Sequence, residues 1–106
     1  MTDDVEIWVV AGQYQARSGR EADLAAVLAQ YVVLTRGVPG CRNVDLVASA
    51  STPGKFLVIE KWTDAGAQRA HLDDPVMVDM ATAATPLLAT APDLDLYDAI
   101  SAHDLE

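Results

Sequence analysis

His71 is the side chain in this chain best suited to moving a proton near neutral pH, because imidazole titrates closest to that range. In a cavity it takes a phenolic proton as a general base; at a junction between sheet and helix it only hydrogen-bonds Glu60 or a backbone carbonyl, as buried polar groups must. Glu60 lies in Phe56-Leu57-Val58-Ile59-Glu60-Lys61-Trp62 and shares the alternating phase of Phe56, Val58 and Trp62. If that face meets helices, the carboxylate enters apolar surroundings and needs a partner. Pairing with His71 would orient the ring and favour its charged form; the alternative is a strand-end glutamate meeting solvent or Arg69 in a weak ion pair. Trp62, Tyr14, Tyr31, Met77 and Met80 have the types to line a flat pocket, aromatic faces stacking on a ring and thioethers adapting to its outline. The same residues at these spacings also serve as ordinary core. His103 sits in the acidic tail, residues 101–106, and reads as solvated.

The elements that must position these residues follow from periodicity. Val5 to Ala16 is rich in Ile, Val, Trp and Tyr and reads as a first strand. Ser18 and Glu21 stand in the S-x-x-E spacing of a capping box. Leu24, Val27, Leu28, Tyr31 and Leu34 then form one helical stripe, ending near Thr35 before Arg36-Gly37 and Pro39-Gly40. Cys41–Ala50 and Lys55–Trp62 read as strands joined by Ser51-Thr52-Pro53-Gly54, which has turn chemistry. Thr63 or Asp64 caps a short helix through Leu72, and Asp74-Pro75 opens another in which Met77, Met80, Ala84 and Leu87 share a face, with Pro86 ending or bending it. Asp93 to Ile100 alternates as a fourth, edge strand. Strand, helix, strand, strand, helix in two pieces, strand is the split βαβ order of a ferredoxin-like α+β domain with an antiparallel sheet.

Both faces of that sheet read as buried. Ile7, Val9 and Ala11 oppose Trp8, Val10 and Tyr14 on the first strand, and Leu57 and Ile59 oppose Phe56, Val58 and Trp62 on the third. Helices cover one face only, so several hundred Å² of apolar sheet would stay wet in a monomer, more than monomers usually tolerate. The expectation is a homodimer joined sheet to sheet, the competing reading being a monomer whose outer face is merely rich in strand-forming residues.

The 106-residue length gives one domain, residues 1–106 with a core at about 5–100. At 51% hydrophobic and 22% charged residues the chain is too apolar for disorder. Sixteen acidic against seven basic residues, net charge −9, repel phosphate backbones, so neither nucleic acid nor an anionic membrane surface is expected as partner. Met1 to Glu6 is acidic, and no apolar run approaches the roughly 18 residues of a membrane span. Cys41 is the sole cysteine, which forbids an internal disulfide and, with two histidines, gives no zinc spacing. The expected location is cytoplasmic. No segment binds flavin, nicotinamide or a transition metal recognisably, so no cofactor and no metal are expected.

The chain resembles the antibiotic biosynthesis monooxygenase family over about residues 5–100. The resemblance rests on the early strand leading to Ser18-Gly19-Arg20-Glu21, on Thr35-Arg36-Gly37-Val38-Pro39-Gly40-Cys41, and on Phe56 to Trp62 followed nine residues later by His71. It implies a ferredoxin-like fold pairing into a dimeric α+β barrel, with a pocket between sheet and helices in each subunit. It also implies cofactor-free oxidation of a small aromatic phenol, anthrone or quinol by dioxygen, with His71, oriented by Glu60, removing the proton. A non-catalytic dimer binding small molecules, or a stress-response dimer, would use the same pocket. A haem-binding or haem-degrading protein is the third alternative; the family's haem-degrading branch pairs a first-strand Asn with a Trp and an iron-binding His, and here the first strand carries Gln13 and Gln15 instead.

Overall fold

The computed structural model describes residues 7–101. In chain order it contains β1 (Trp8–Gln15), α1 (Glu21–Thr35), β2 (Cys41–Ala48), β3 (Lys55–Trp62), α2 (Ala65–Leu72), α3 (Pro75–Ala84), a 3-10 turn at Thr85–Leu87 and β4 (Asp93–Asp98). The sheet order is β2-β3-β1-β4 with every neighbouring pair antiparallel. Each helical connection therefore steps over one strand, as the ferredoxin-like reading requires. Val5, the acidic tail beyond Ser101 and His103 lie outside the described residues.

Strand register sorts the side chains. Trp8 faces Trp62, Val10 faces Glu60 and Tyr14 faces Phe56, so these alternate residues share one face with Val58 and with Val44 of β2. That face is buried beneath the helices together with Leu24, Leu28, Tyr31 and Val32 of α1 and Met80 and Ala84 of α3. The other face carries Val9, Ala11, Leu57 and Ile59, only half buried in the single chain. β4 is the outer strand, with Ile100 beyond its end rather than within it.

Two local expectations are corrected. Ser18 does not cap α1: Gly19 takes φ +86°, the residue before the helix is Arg20 with no side-chain cap, and Glu21 instead accepts from the Gly19 N–H at 3.2 Å. The left-handed glycine turns the chain before the helix begins, so serine is too far back to reach its first free N–H groups. The buried stripe of α1 is also rotated. Val32 and Thr35 are buried while Leu34 is about half exposed, because the 24, 28, 31, 35 spacing follows the 3.6-residue period and Leu34 falls off it.

The shorter helices are capped as expected. Asp64 accepts from Ala67 N–H at 2.8 Å to start α2, and Asp74 accepts from Val76 N–H at 2.8 Å to start α3. Gly40 fixes α2 against the turn before β2. It has φ +87°, and a Cβ there would stand 2.4 Å from the Cβ of Ala67, so the helix carrying His71 packs where only glycine leaves room.

Candidate active site

β3, α1 and α2 bring four side chains into one buried network. Tyr31 donates its hydroxyl proton to Glu60 Oε2 at 2.6 Å, and Trp62 donates its indole N–H to Glu60 Oε1 at 3.0 Å. The Tyr31 oxygen also lies 2.7 Å from His71 Nε2. Since tyrosine has one proton and gives it to the carboxylate, Nε2 must carry the hydrogen that Tyr31 accepts. Nδ1 is then the bare nitrogen, and among the described residues it is buried without a hydrogen-bond partner. Glu60 and His71 share one network, but the direct pair that would favour the charged ring is not formed: Tyr31 stands between them. Glu60 meets neither solvent nor Arg69.

Electrostatics favour the neutral ring. Burial lowers the His71 pKa below its ordinary value, and this outweighs the negative charges of Glu60 and Asp74, which act the other way. The Tyr31 hydroxyl is driven far up, first by burial and then by Glu60, so it stays protonated. Tyr14 is pushed up to about 12 by burial and, secondarily, by Glu60. A histidine with a depressed pKa binds fewer protons folded than unfolded, so stability rises with pH across that interval. Unfolding free energy is expected to be complete above the free-histidine value of about 6.5 and to decline as pH falls below it. The decline should be smaller in a His71→Gln variant; equal declines in urea titrations would contradict the assignment.

His71 forms part of the wall of a cavity of about 190 Å³. β1 contributes Gly12 and Tyr14, β4 contributes Leu94 and Leu96, and Gln68 and Leu72 of α2 and Met77 of α3 complete the side under the helices. Tyr14, Glu60 and His71 are buried whereas Leu72, Leu94 and Leu96 are about half exposed, so the floor is at the network and the mouth lies along β4. Gly12 keeps the floor open. A Cβ there would come within 2.7 Å of Leu94 Cδ2 and 3.1 Å of Tyr14 Cε1.

Among the residues expected to bind a ring, Tyr14 and Met77 line this cavity. Trp62 is fully buried behind it, its ring 4.7 Å from that of His71, and so supports the imidazole. Tyr31 and Met80 border a different groove of about 280 Å³ between α1 and α3. That groove is larger, but the imidazole is not among its lining residues. Sequence reasoning missed Gln68 and the β4 leucines; the signal available was the i, i+3 spacing of Gln68 and His71 and the alternation of Leu94 with Leu96. Among the described residues no group of three or more His, Cys, Asp or Glu side chains is arranged to hold a metal ion, and no helix is long and apolar enough to cross a membrane.

A four-stranded antiparallel sheet with helices on one face, enclosing an apolar cavity with a neutral imidazole, defines a ferredoxin-like α+β domain with a small-molecule-sized pocket. The antibiotic biosynthesis monooxygenase family matches residues 7–83, and the chain belongs to it. A Deinococcus radiodurans structure bearing that family's name is 27% identical with a TM-score of 0.83, over 93% of this chain and 98% of that one. Rv0793 from Mycobacterium tuberculosis is 21% identical with a TM-score of 0.85, over 92% and 99% of the two chains. The NE2512 protein of Nitrosomonas europaea is 21% identical with a TM-score of 0.86, over 98% and 99%. The Synechocystis protein sll1783 is 22% identical over 89 residues, 84% of this chain, and the chain spans 60% of that relative's length.

Proposed function

We propose that the protein is a cofactor-independent monooxygenase that oxidises a small phenol or quinol with dioxygen, His71 acting as the base. The observation that carries this reading is a neutral imidazole in the wall of an apolar cavity, with Nε2 held by Tyr31 and Nδ1 left without a donor. Nδ1 is closed to solvent in the unliganded chain; binding of the ring uncovers it, and a ring hydroxyl then supplies the donor and gives up its proton to Nδ1. The quinol anion passes one electron to dioxygen, and superoxide then bonds to the ring radical at a carbon, forming a peroxide. The imidazolium returns the proton to the peroxide, the O–O bond breaks, and water leaves. In sum, one quinol and one dioxygen give one hydroxyquinone and one water, with all four electrons drawn from the ring. Glu60 and Trp62 act behind the imidazole: the carboxylate fixes Tyr31, Tyr31 fixes the tautomer, and the indole fixes the ring plane.

Size narrows the substrate. An apolar cavity of about 150 Å³ takes up benzene, and drug-sized ligands occupy about 300 Å³ or more. A cavity of 190 Å³ therefore suits one substituted ring better than an anthrone or haem. The protein is expected to accelerate dioxygen uptake by a substituted hydroquinone above its spontaneous rate, measured with an oxygen electrode; no acceleration would overturn the reading.

The outer sheet face supports a homodimer joined face to face. Val9, Ala11, Leu57 and Ile59 lie between the half-exposed Val47 and Tyr97, forming an apolar surface on the side away from the helices. Sedimentation equilibrium at micromolar concentration is expected to give the mass of two chains, and a single-chain mass would remove this part of the account.

A further inference from the structure

A short helix packed on a domain ordinarily turns apolar residues inward. α2 does the opposite: its two buried side chains are Gln68 and His71. Gln68 is 7% exposed, lines the same cavity as the imidazole, and its amide makes no side-chain hydrogen bond among the described residues. Neither amide atom is among the fully enclosed polar atoms without a partner, which are Thr35 Oγ1 and His71 Nδ1, so the Gln68 amide is reached from the cavity that it lines. His71 has its Nε2 engaged by Tyr31, so among the described residues that nitrogen is not a partner for the Gln68 amide.

We propose that Gln68 is a positioning residue that holds the second oxygen of a dioxygenated ring whose first oxygen meets His71, and so selects quinols over simple phenols. This rests on the reading of the cavity as a quinol site. Residues three apart on a helix stand side by side with Cβ atoms about 5–6 Å apart, a separation comparable to that of oxygens at opposite ends of one six-membered ring. The amide suits both ends of the reaction. Its Oε1 accepts from the hydroxyl of the quinol, and its Nε2–H₂ donates to the carbonyl that the same oxygen becomes. A leucine or methionine at this place offers neither acceptor nor donor. Sites built to hydrogen-bond a ligand oxygen discriminate strongly against analogues lacking it, because the protein group is then left unpaired.

The test compares hydroquinone with p-cresol, in which a methyl group replaces the second hydroxyl, by calorimetric titration under argon so that no oxidation intervenes. The wild-type protein is expected to prefer hydroquinone by about tenfold or more, the worth of one well-made buried hydrogen bond. Gln68→Met, close in shape and a good helix former, is expected to bring the two affinities together while leaving p-cresol affinity unchanged, and Gln68→Asn to recover part of the preference. Should Gln68→Met fail to fold, Gln68→Leu carries the same comparison. A preference that survives in the Met or Leu variant, a loss equal for both ligands, or no binding of either ligand to the wild type overturns the proposal. These readouts involve no turnover. Failure of the base assignment appears separately, as dioxygen uptake retained without His71.

Discussion

His71→Ala is expected to lower the rate of aerobic quinol oxidation by about 10²–10⁴-fold, the usual contribution of a positioned general base, with KM changing far less. The imidazole is the one group in the cavity wall that is neutral, basic near physiological pH and unpaired at one nitrogen. Tyr14 cannot replace it, since a hydroxyl with a pKa of about 12 is protonated throughout the working range. Glu60 cannot either, because both its oxygens are already bonded, to Tyr31 and Trp62. The substitution also removes the partner of the Tyr31 oxygen and so loosens the network as well as deleting the base. His71→Gln separates the two effects: its amide can still donate to Tyr31 but offers no basic nitrogen. Both variants should lose turnover while circular dichroism shows a folded chain, and turnover retained by either would end the assignment.

The largest effect on stability is expected at Trp62. Its side chain is 0% exposed, larger than any other fully buried one in the domain, and its indole N–H is one of two donors to a buried carboxylate. Truncation to Ala should cost about 3–5 kcal/mol for the lost packing and the cavity it leaves, and loss of the donor adds to that. Domains of this size are stable by about 5–15 kcal/mol in all, so Trp62→Ala should sit near the edge of folding. Its melting temperature should fall by about 4–8 °C for each kcal/mol lost. Trp62→Phe keeps most of the packing and removes only the hydrogen bond. It should cost about 1–3 kcal/mol, leaving a folded protein in which the imidazole is less firmly held. Equal stability of Trp62→Ala and wild type in chemical denaturation would mean that the network does not anchor β3 to the helices.

The order of elements was legible because each boundary has a local cause. Asp64 and Asp74 cap their helices through side chains adjacent in sequence, and Lys55–Trp62 alternates without interruption. The S-x-x-E spacing misplaces the start of α1 because it says nothing about Gly19, whose left-handed backbone decides where the helix can begin. In the site, the phase of β3 was enough to send Glu60 inward. What spacing could not reveal was Tyr31 standing between Glu60 and His71, which are separated from it by 29 and 40 residues. Those distances are closed by packing of α1 and α2 on the sheet, a tertiary fact. Trp62 and Tyr31 were expected to touch a ligand because aromatic residues suit rings; burial instead gives them the task of holding the imidazole. Gln68 carries no sequence signal of its own, since glutamine in a helix is ordinarily a solvated residue, and only the buried face of α2 makes it exceptional.

The tautomer and charge of His71 carry the whole chemical argument, and nitrogen-15 NMR of the ring reads both directly. At pH 7 the account predicts a neutral ring protonated at Nε2, with Nδ1 showing the resonance of an unprotonated nitrogen that moves when hydroquinone is added under argon. An imidazolium at that pH has no lone pair to receive the proton, and a ring protonated at Nδ1 has its lone pair only at Nε2, against Tyr31; either result would contradict the mechanism at its first step.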